Sequence, residues 1–192
     1  MVKTTFLFSL HKCAKPPYIY NGGAEMSNYK VDLPYPPIQI NGVFPEYGYM
    51  LLSNIGSSNS EVNAVSLYTY NKIITRPGFK EISDTFQAIS IVEMHHLDIF
   101  SQFCLLEGVD PRWWSCDQGN FEYWSPQFHA YPKELSCLLK YAIQGEEDAI
   151  KKYQQQAAII CDENIVKMLE RIILDEQHHV ELLNNLLCKY CG

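Results

Sequence analysis

Glu61-Val62-Asn63-Ala64-Val65-Ser66-Leu67-Tyr68, followed by Glu93-Met94-His95-His96, is a pattern that this chain carries twice. The second copy is Glu146-Glu147-Asp148-Ala149 with Tyr153, followed by Glu176-Gln177-His178-His179. In both copies Ala follows the first Glu by three residues, Tyr follows it by seven, and His follows the second Glu by three. The two Glu of each copy stand about 30 residues apart. A Glu-x-x-His spacing puts both side chains on one face of a helix. Two such pairs and two lone Glu, each on its own helix, make the ligand set of a carboxylate-bridged two-metal site inside a four-helix bundle.

The surrounding periodicity supports this. Ile165, Leu169, Ile172, Glu176, His179, Leu183 and Leu186 follow steps of three or four and share one helical face. Glu176 and His179 thus interrupt an apolar stripe. Ile89, Val92, Glu93, His96 and Phe100 form a similar stripe, Glu61 lies with Ala64, Val65 and Tyr68, and Glu146 lies with Ala142, Ala149 and Tyr153. Four carboxylates are therefore aimed at one core, where burial of uncompensated charge is very costly. Two divalent cations balance the four negative charges, and neutral His96 and His179 complete the shell. Carboxylate and imidazole together suit manganese or iron. The expected metal ligands are Glu61, Glu93, His96, Glu146, Glu176 and His179.

Neighbouring residues take other roles in this reading. His95 and His178 lie about 200° around the helix from the ligand Glu and face away from the metals. Glu147 is the rival to Glu146, and the Ala and Tyr offsets favour Glu146. Tyr68 and Tyr153 are candidates to hydrogen-bond ligating carboxylates, or else ordinary core tyrosines. Asp98 and Glu181 read as surface charges, and His129 as a loop residue. Ala64 and Ala149 leave space beside the ligands.

Outward from these motifs, residues 1–45 carry Pro16, Pro17, Pro34, Pro36, Pro37 and Pro45, a spacing no helix can run through. They read as an extended arm, with Thr5 to Leu10 a strand or arm rather than a signal peptide. Residues 46–192 read as the bundle. A short helix spans Glu46 to Ile55. The long helices run from about Ser60 to Ile74, Phe79 to Glu107, Lys133 to Cys161, and from Asp162 as cap to near Tyr190. Gly108 stops the second. The aromatic-rich stretch 109–131 is a long connection whose Trp113, Trp114, Phe121, Tyr123 and Trp124 pack over an end or side of the bundle.

The 192 residues are 47% hydrophobic, enough for one cored domain. A formal charge of −7 argues against nucleic acid and anionic membrane surfaces as partners. No apolar run approaches the ~18 residues of a membrane span. Seven cysteines, an odd number with several inside helical patterns, read as reduced thiols and a cytoplasmic chain. Cys188-Lys189-Tyr190-Cys191 lacks the second pair that a four-cysteine metal site needs.

Glu61 to Tyr68, Val92-Glu93-Met94-His95-His96-Leu97-Asp98 and the preceding Tyr35-Pro36-Pro37 resemble manganese catalases and their spore-coat relatives, within the ferritin-like superfamily of dinuclear metal proteins. The resemblance implies an all-α, ferritin-like four-helix bundle with its long crossover between helices two and three. It implies two manganese or iron ions, hydrogen peroxide or dioxygen as substrate, and a counterpart of Glu176 acting as acid/base group. Rubrerythrins are similar too. They carry an extra carboxylate where this chain has Ala149, and commonly a four-cysteine iron site, of which Cys188 and Cys191 supply at most half. Against manganese catalases, Asp98 stands where Glu is common, and their long C-terminal extension is missing. The resemblance implies manganese-catalase-like peroxide detoxification first. An iron-binding ferroxidase or rubrerythrin-like role comes second, and a structural spore-coat bundle third. A homodimer is the expected assembly.

Overall fold

The computed structural model describes residues 29–192. The strand or arm expected at Thr5 to Leu10, and the rest of 1–28, lie outside the described residues. Helix α1 spans Pro45–Gly56, α2 Glu61–Thr75 and α3 Lys80–Leu106, and α4 Leu135–Ile159 and α5 Glu163–Cys191 follow the crossover. Helices α2 and α3 pack on each other, as do α4 and α5. Each pair is joined by a short turn, which makes its helices antiparallel neighbours. Helix α1 lies against α3.

Local chemistry explains the boundaries. Pro45 sits in the first turn of α1, where its missing N–H costs nothing. Ser60 caps α2 through its hydroxyl, which accepts from the Asn63 N–H. Asp162 caps α5 by accepting from the Asn164 N–H at 2.9 Å. Glu134 does the same for Ser136 and Cys137 at the start of α4. At the end of α3, Gly108 adopts φ 76°, and the Val109 N–H reaches back to the Cys104 carbonyl at 2.9 Å. This Schellman closure needs the left-handed region that glycine enters freely.

The connection 109–131 departs from the all-α expectation. It holds an antiparallel hairpin, β1 Trp114–Asp117 paired with β2 Asn120–Tyr123. Gln118 and Gly119 both have positive φ, 48° and 83°, the geometry of a two-residue hairpin turn whose twist matches the strands. Gly56 lets the hairpin backbone approach α1: a Cβ there would lie 2.4 Å from the Trp114 nitrogen.

The core divides along the bundle axis into two apolar clusters. One gathers Leu51, Phe100, Phe103, Leu169 and Ile172; the other gathers Leu67, Phe86, Ile89, Leu139 and Leu183. Along α3 and α5 the residues between the clusters are Glu93, His96, Glu176 and His179, all buried. A single charged layer therefore sits between two apolar ones. Residues 31–41 lie on α5 without regular structure: Arg171 donates to the Val31 and Leu33 carbonyls, and the Asn41 N–H donates to Asp162. Among the described residues, no helix is long and apolar enough to cross a membrane. The Cys188 and Cys191 thiols are free and exposed.

Candidate metal centre

Helix α2 supplies Glu61, α3 supplies Glu93 and His96, α4 supplies Glu146, and α5 supplies Glu176 and His179. None of the six is more than 3% exposed. Their donor atoms fall into two overlapping nests, Glu61, Glu93, His96 and Glu176 in one, Glu93, Glu146, Glu176 and His179 in the other. Within each nest the donor atoms lie within 4.8 Å of one another.

The geometry of the shared pair is symmetric. Glu93 places Oε2 3.1 Å from His96 Nδ1 and Oε1 2.9 Å from His179 Nδ1. Glu176 places Oε1 3.2 Å from His96 Nδ1 and Oε2 3.0 Å from His179 Nδ1. Each shared carboxylate thus offers one oxygen to each nest. Glu61 lies 4.0 Å from His96 Nδ1, and Glu146 lies 3.8 Å from His179 Nδ1. The rival Glu147 is exposed.

Both tyrosines reach across the bundle to the other copy of the repeat. The Tyr68 hydroxyl donates to Glu146 Oε1, and the Tyr153 hydroxyl donates to Glu61 Oε1. Lys152 reaches over the Tyr153 ring, 5.2 Å from its centroid, to the Ser53 and Asn59 carbonyls. Burial pushes its ammonium down to about 8, although Glu61 and Glu176 pull the other way.

The two histidines differ behind their outward nitrogens. His96 Nε2 lies 3.2 Å from Asp175 Oδ2, and Asp175 also accepts from Tyr35 Oη at 2.5 Å and from the Val31 N–H at 2.7 Å. Arg171 Nη1 stands 2.8 Å from Asp175 Oδ1. His179 Nε2 instead donates to the Tyr29 carbonyl at 3.0 Å. The residue before Glu93, matching Asp175 before Glu176, is Val92, which has no acceptor to offer. These acceptors fix Nε2 as the protonated nitrogen and leave Nδ1 for a metal. Sequence reasoning missed Asp175, Arg171 and the Tyr29 carbonyl. The Asp-Glu dipeptide was the only signal for the first, and a backbone carbonyl leaves none. Of the other candidates, His95 is exposed and packs edge-on against Tyr35. Asp98 is exposed too. His129 sits in the crossover but is buried, 2.7 Å from the Ser66 hydroxyl.

Electrostatics test whether two cations fit. Burial, and then repulsion from Glu93 and Glu176, raise Glu61 and Glu146 well above the usual carboxylate range. Burial works against charge on Glu93 as well, but His179 and the hydrogen bonds from both histidines hold it well below that range. Burial also opposes charge on the imidazoles, yet the carboxylates win and push His96 and His179 well above 6.5. Protons on the histidines thus do, imperfectly, what two cations would do. The buried carboxylate and histidine cluster fits a dinuclear metal site.

A pH dependence follows for metal-free protein. His96, His179, Glu61 and Glu146 all bind protons more tightly folded than unfolded. For the histidines the stabilisation is complete below the unfolded value of 6.5 and is lost as pH rises through the raised folded value. For the two carboxylates it is already falling from above 4.5. Melting temperature of chelator-treated protein is expected to fall as pH increases from 6 to 8.5. Saturating divalent metal should flatten or reverse that slope, because metal binding displaces the same protons.

A cavity of about 320 Å³ opens onto the carboxylate side of the centre, between α2 and α4. Glu61, Glu93, Glu146 and Glu176 form its floor, and neither ligand histidine lines it. Its wall includes Ala64, Ala142, Ala149 and Gly145. A glycine inside a helix costs about 1 kcal/mol relative to alanine.

A family model for rubrerythrin matches residues 56–187. No curated protein matches the sequence. Among solved structures, a manganese catalase, KatB, from Anabaena superposes with TM-score 0.70 at 19% identity, covering 82% of this chain and 78% of that one. A second KatB structure from Anabaena gives TM-score 0.72 over the same shares at the same identity. Bacterioferritin from Rhodobacter capsulatus, described with a metal-free dinuclear site and haem iron, gives 0.62 at 22% identity over 77% and 86% of the two chains. At these identities the likeness establishes the ferritin-like bundle fold.

Proposed function

This chain belongs to the rubrerythrin family, and from that membership and its paired carboxylate–histidine nests we propose that it is a dimetal oxidoreductase that consumes hydrogen peroxide. The observation that carries the reading is the sharing of Glu93 and Glu176 between two nests beneath an open cavity. Glu61, Glu93, His96, Glu146, Glu176 and His179 would hold two manganese or iron ions. When bound, the pair supplies the two-electron redox couple that splitting or reducing an O–O bond requires.

The protein's own groups do the rest. Tyr68 holds one oxygen of Glu146 and Tyr153 one oxygen of Glu61, which fixes the rotation of each carboxylate. Asp175 and the Tyr29 carbonyl hold the imidazole rings. Glu176 lines the cavity and, with one of its two oxygens disengaged from its nest, is assigned to take a proton from the incoming substrate and return it to the leaving oxygen. The apolar clusters on either side keep water from the charged layer except through the cavity, which lowers the dielectric around it.

The test is metal content and turnover together. Protein purified from a host supplied with both manganese and iron should contain about two such ions per chain. Loaded protein should evolve oxygen from hydrogen peroxide, or consume it when a reductant is added. Fully loaded protein that does neither refutes the proposal. Dioxygen consumption on ferrous iron addition without peroxide turnover would select a ferroxidase instead. A homodimer in the cytoplasm remains the proposed setting.

A further inference from the structure

We propose that the cavity bordered by Asn59 and Gly145 is the passage by which a small neutral oxygen species reaches the carboxylates, and that Gly145 is the residue holding it open. The inference rests on the peroxide reading for its substrate, but not for its geometry.

Gly145 stands mid-way along α4, directly before Glu146. None of the usual reasons for glycine applies to it. Its φ is not positive, and no neighbour crowds it: a Cβ built there meets nothing within 4 Å beyond its own helix backbone. Gly48 and Gly56, by contrast, face groups closer than 3 Å. An alanine at 145 would strengthen the helix and clash with nothing. What it would do is occupy the cavity that Gly145 lines.

Asn59 borders the same cavity. Its Nδ2 donates to the Gly145 carbonyl at 2.9 Å, tying the α1–α2 loop to α4 beside the opening. Its Oδ1 is buried and accepts no hydrogen bond. An O–H donor moving inward would meet that acceptor. Exposed Ser58, Gln144 and Asp148 bring the cavity to the surface. Asp148 is the charged residue lining this outer end; Lys151 at 3.1 Å and Gln144 at 2.9 Å engage its carboxylate, and the Lys152 ammonium donates to the Asn59 carbonyl beside it. The rim is thus polar and carries no net negative charge. It suits peroxide or dioxygen better than a cation, which a net negative funnel would draw in.

The test uses full-length protein loaded anaerobically with ferrous iron, and nitric oxide as a neutral diatomic probe read by stopped-flow absorbance. Gly145→Leu should keep wild-type iron content and circular dichroism but bind nitric oxide about tenfold or more slowly, because entry then waits on side-chain motion. Gly145→Ala should slow binding less and raise the melting temperature by about 2–4 °C. Asn59→Ala should bind the probe at least as fast as wild type. A Gly145→Leu protein with full iron content and wild-type binding rate overturns the proposal, as does a Gly145→Ala protein that is less stable than wild type. Wild-type protein that binds nitric oxide quickly yet never turns over peroxide would refute the peroxide reading and leave the passage standing.

Discussion

Glu93→Gln and Glu176→Gln are each expected to lower metal content from about two ions per chain to less than one, and to reduce peroxide turnover by about a thousandfold or more. Each shared carboxylate serves both nests, so one substitution removes an anionic oxygen from each metal position. Glu61→Gln and Glu146→Gln should be milder and local. Each removes one ligand from one nest and should leave about one ion bound with normal affinity. The two classes should also differ in metal-free stability. Burial and like charge raise Glu61 and Glu146, so neutralising either relieves strain, and the metal-free variant should melt higher at pH 8. Glu93 is held in its charged form by His96 and His179, so its loss leaves two buried imidazolium groups less compensated. Metal-free Glu93→Gln should therefore melt lower. Metal analysis and thermal melts on the four single variants check this. Equal metal loss in all four would show that Glu93 and Glu176 have no shared role.

The second large effect belongs to Asp175, which ligates nothing in this reading. Its carboxylate receives His96, Tyr35, Arg171 and the Val31 backbone, and it is fully buried. Asp175→Asn is expected to destabilise the protein by about 3–5 kcal/mol, because Arg171, only 5% exposed, keeps its charge without its anionic partner. It should also weaken metal binding by about 10–100-fold through the loss of orientation at His96. Adding Arg171→Met separates these effects. The double variant removes the orphaned charge and should recover part of the stability, although Arg171 also holds the Val31 and Leu33 carbonyls. It should not recover metal affinity, since His96 then faces a neutral amide in place of the carboxylate. Recovery of both would mean that Asp175 acts only through the fold.

Much of the centre was legible because helical period and repeat spacing are local properties. The offsets that pair Glu61 with Ala64 and Tyr68, and Glu146 with Ala149 and Tyr153, identified equivalent positions before any packing was known. The apolar stripe broken by Glu176 and His179 identified the buried face of α5. Capping at Asp162 and the stop at Gly108 were legible for the same reason: each depends on a few consecutive residues. The hairpin in the crossover also had a local signal, Gln118-Gly119 between short runs, but the density of aromatic residues obscured it.

Other features have no local expression. The Tyr68–Glu146 and Tyr153–Glu61 bonds join residues on different helices, and sequence spacing within one helix does not say which face meets which. Asp175 looks like the neighbour of a ligand Glu until Tyr35 and Arg171 are brought against it, and the matching position in the first repeat, Val92, gives no hint. The Tyr29 carbonyl at His179 belongs to a backbone that any residue could supply. The cavity beside Gly145 is a volume left between α2 and α4. By itself, then, the sequence determined four long helices, their inward faces and six candidate ligands, because periodicity encodes where each side chain points on its own helix. Only the tertiary structure decided how those faces oppose each other, which groups orient the ligands and where the centre opens, because these depend on distances between segments far apart in the chain.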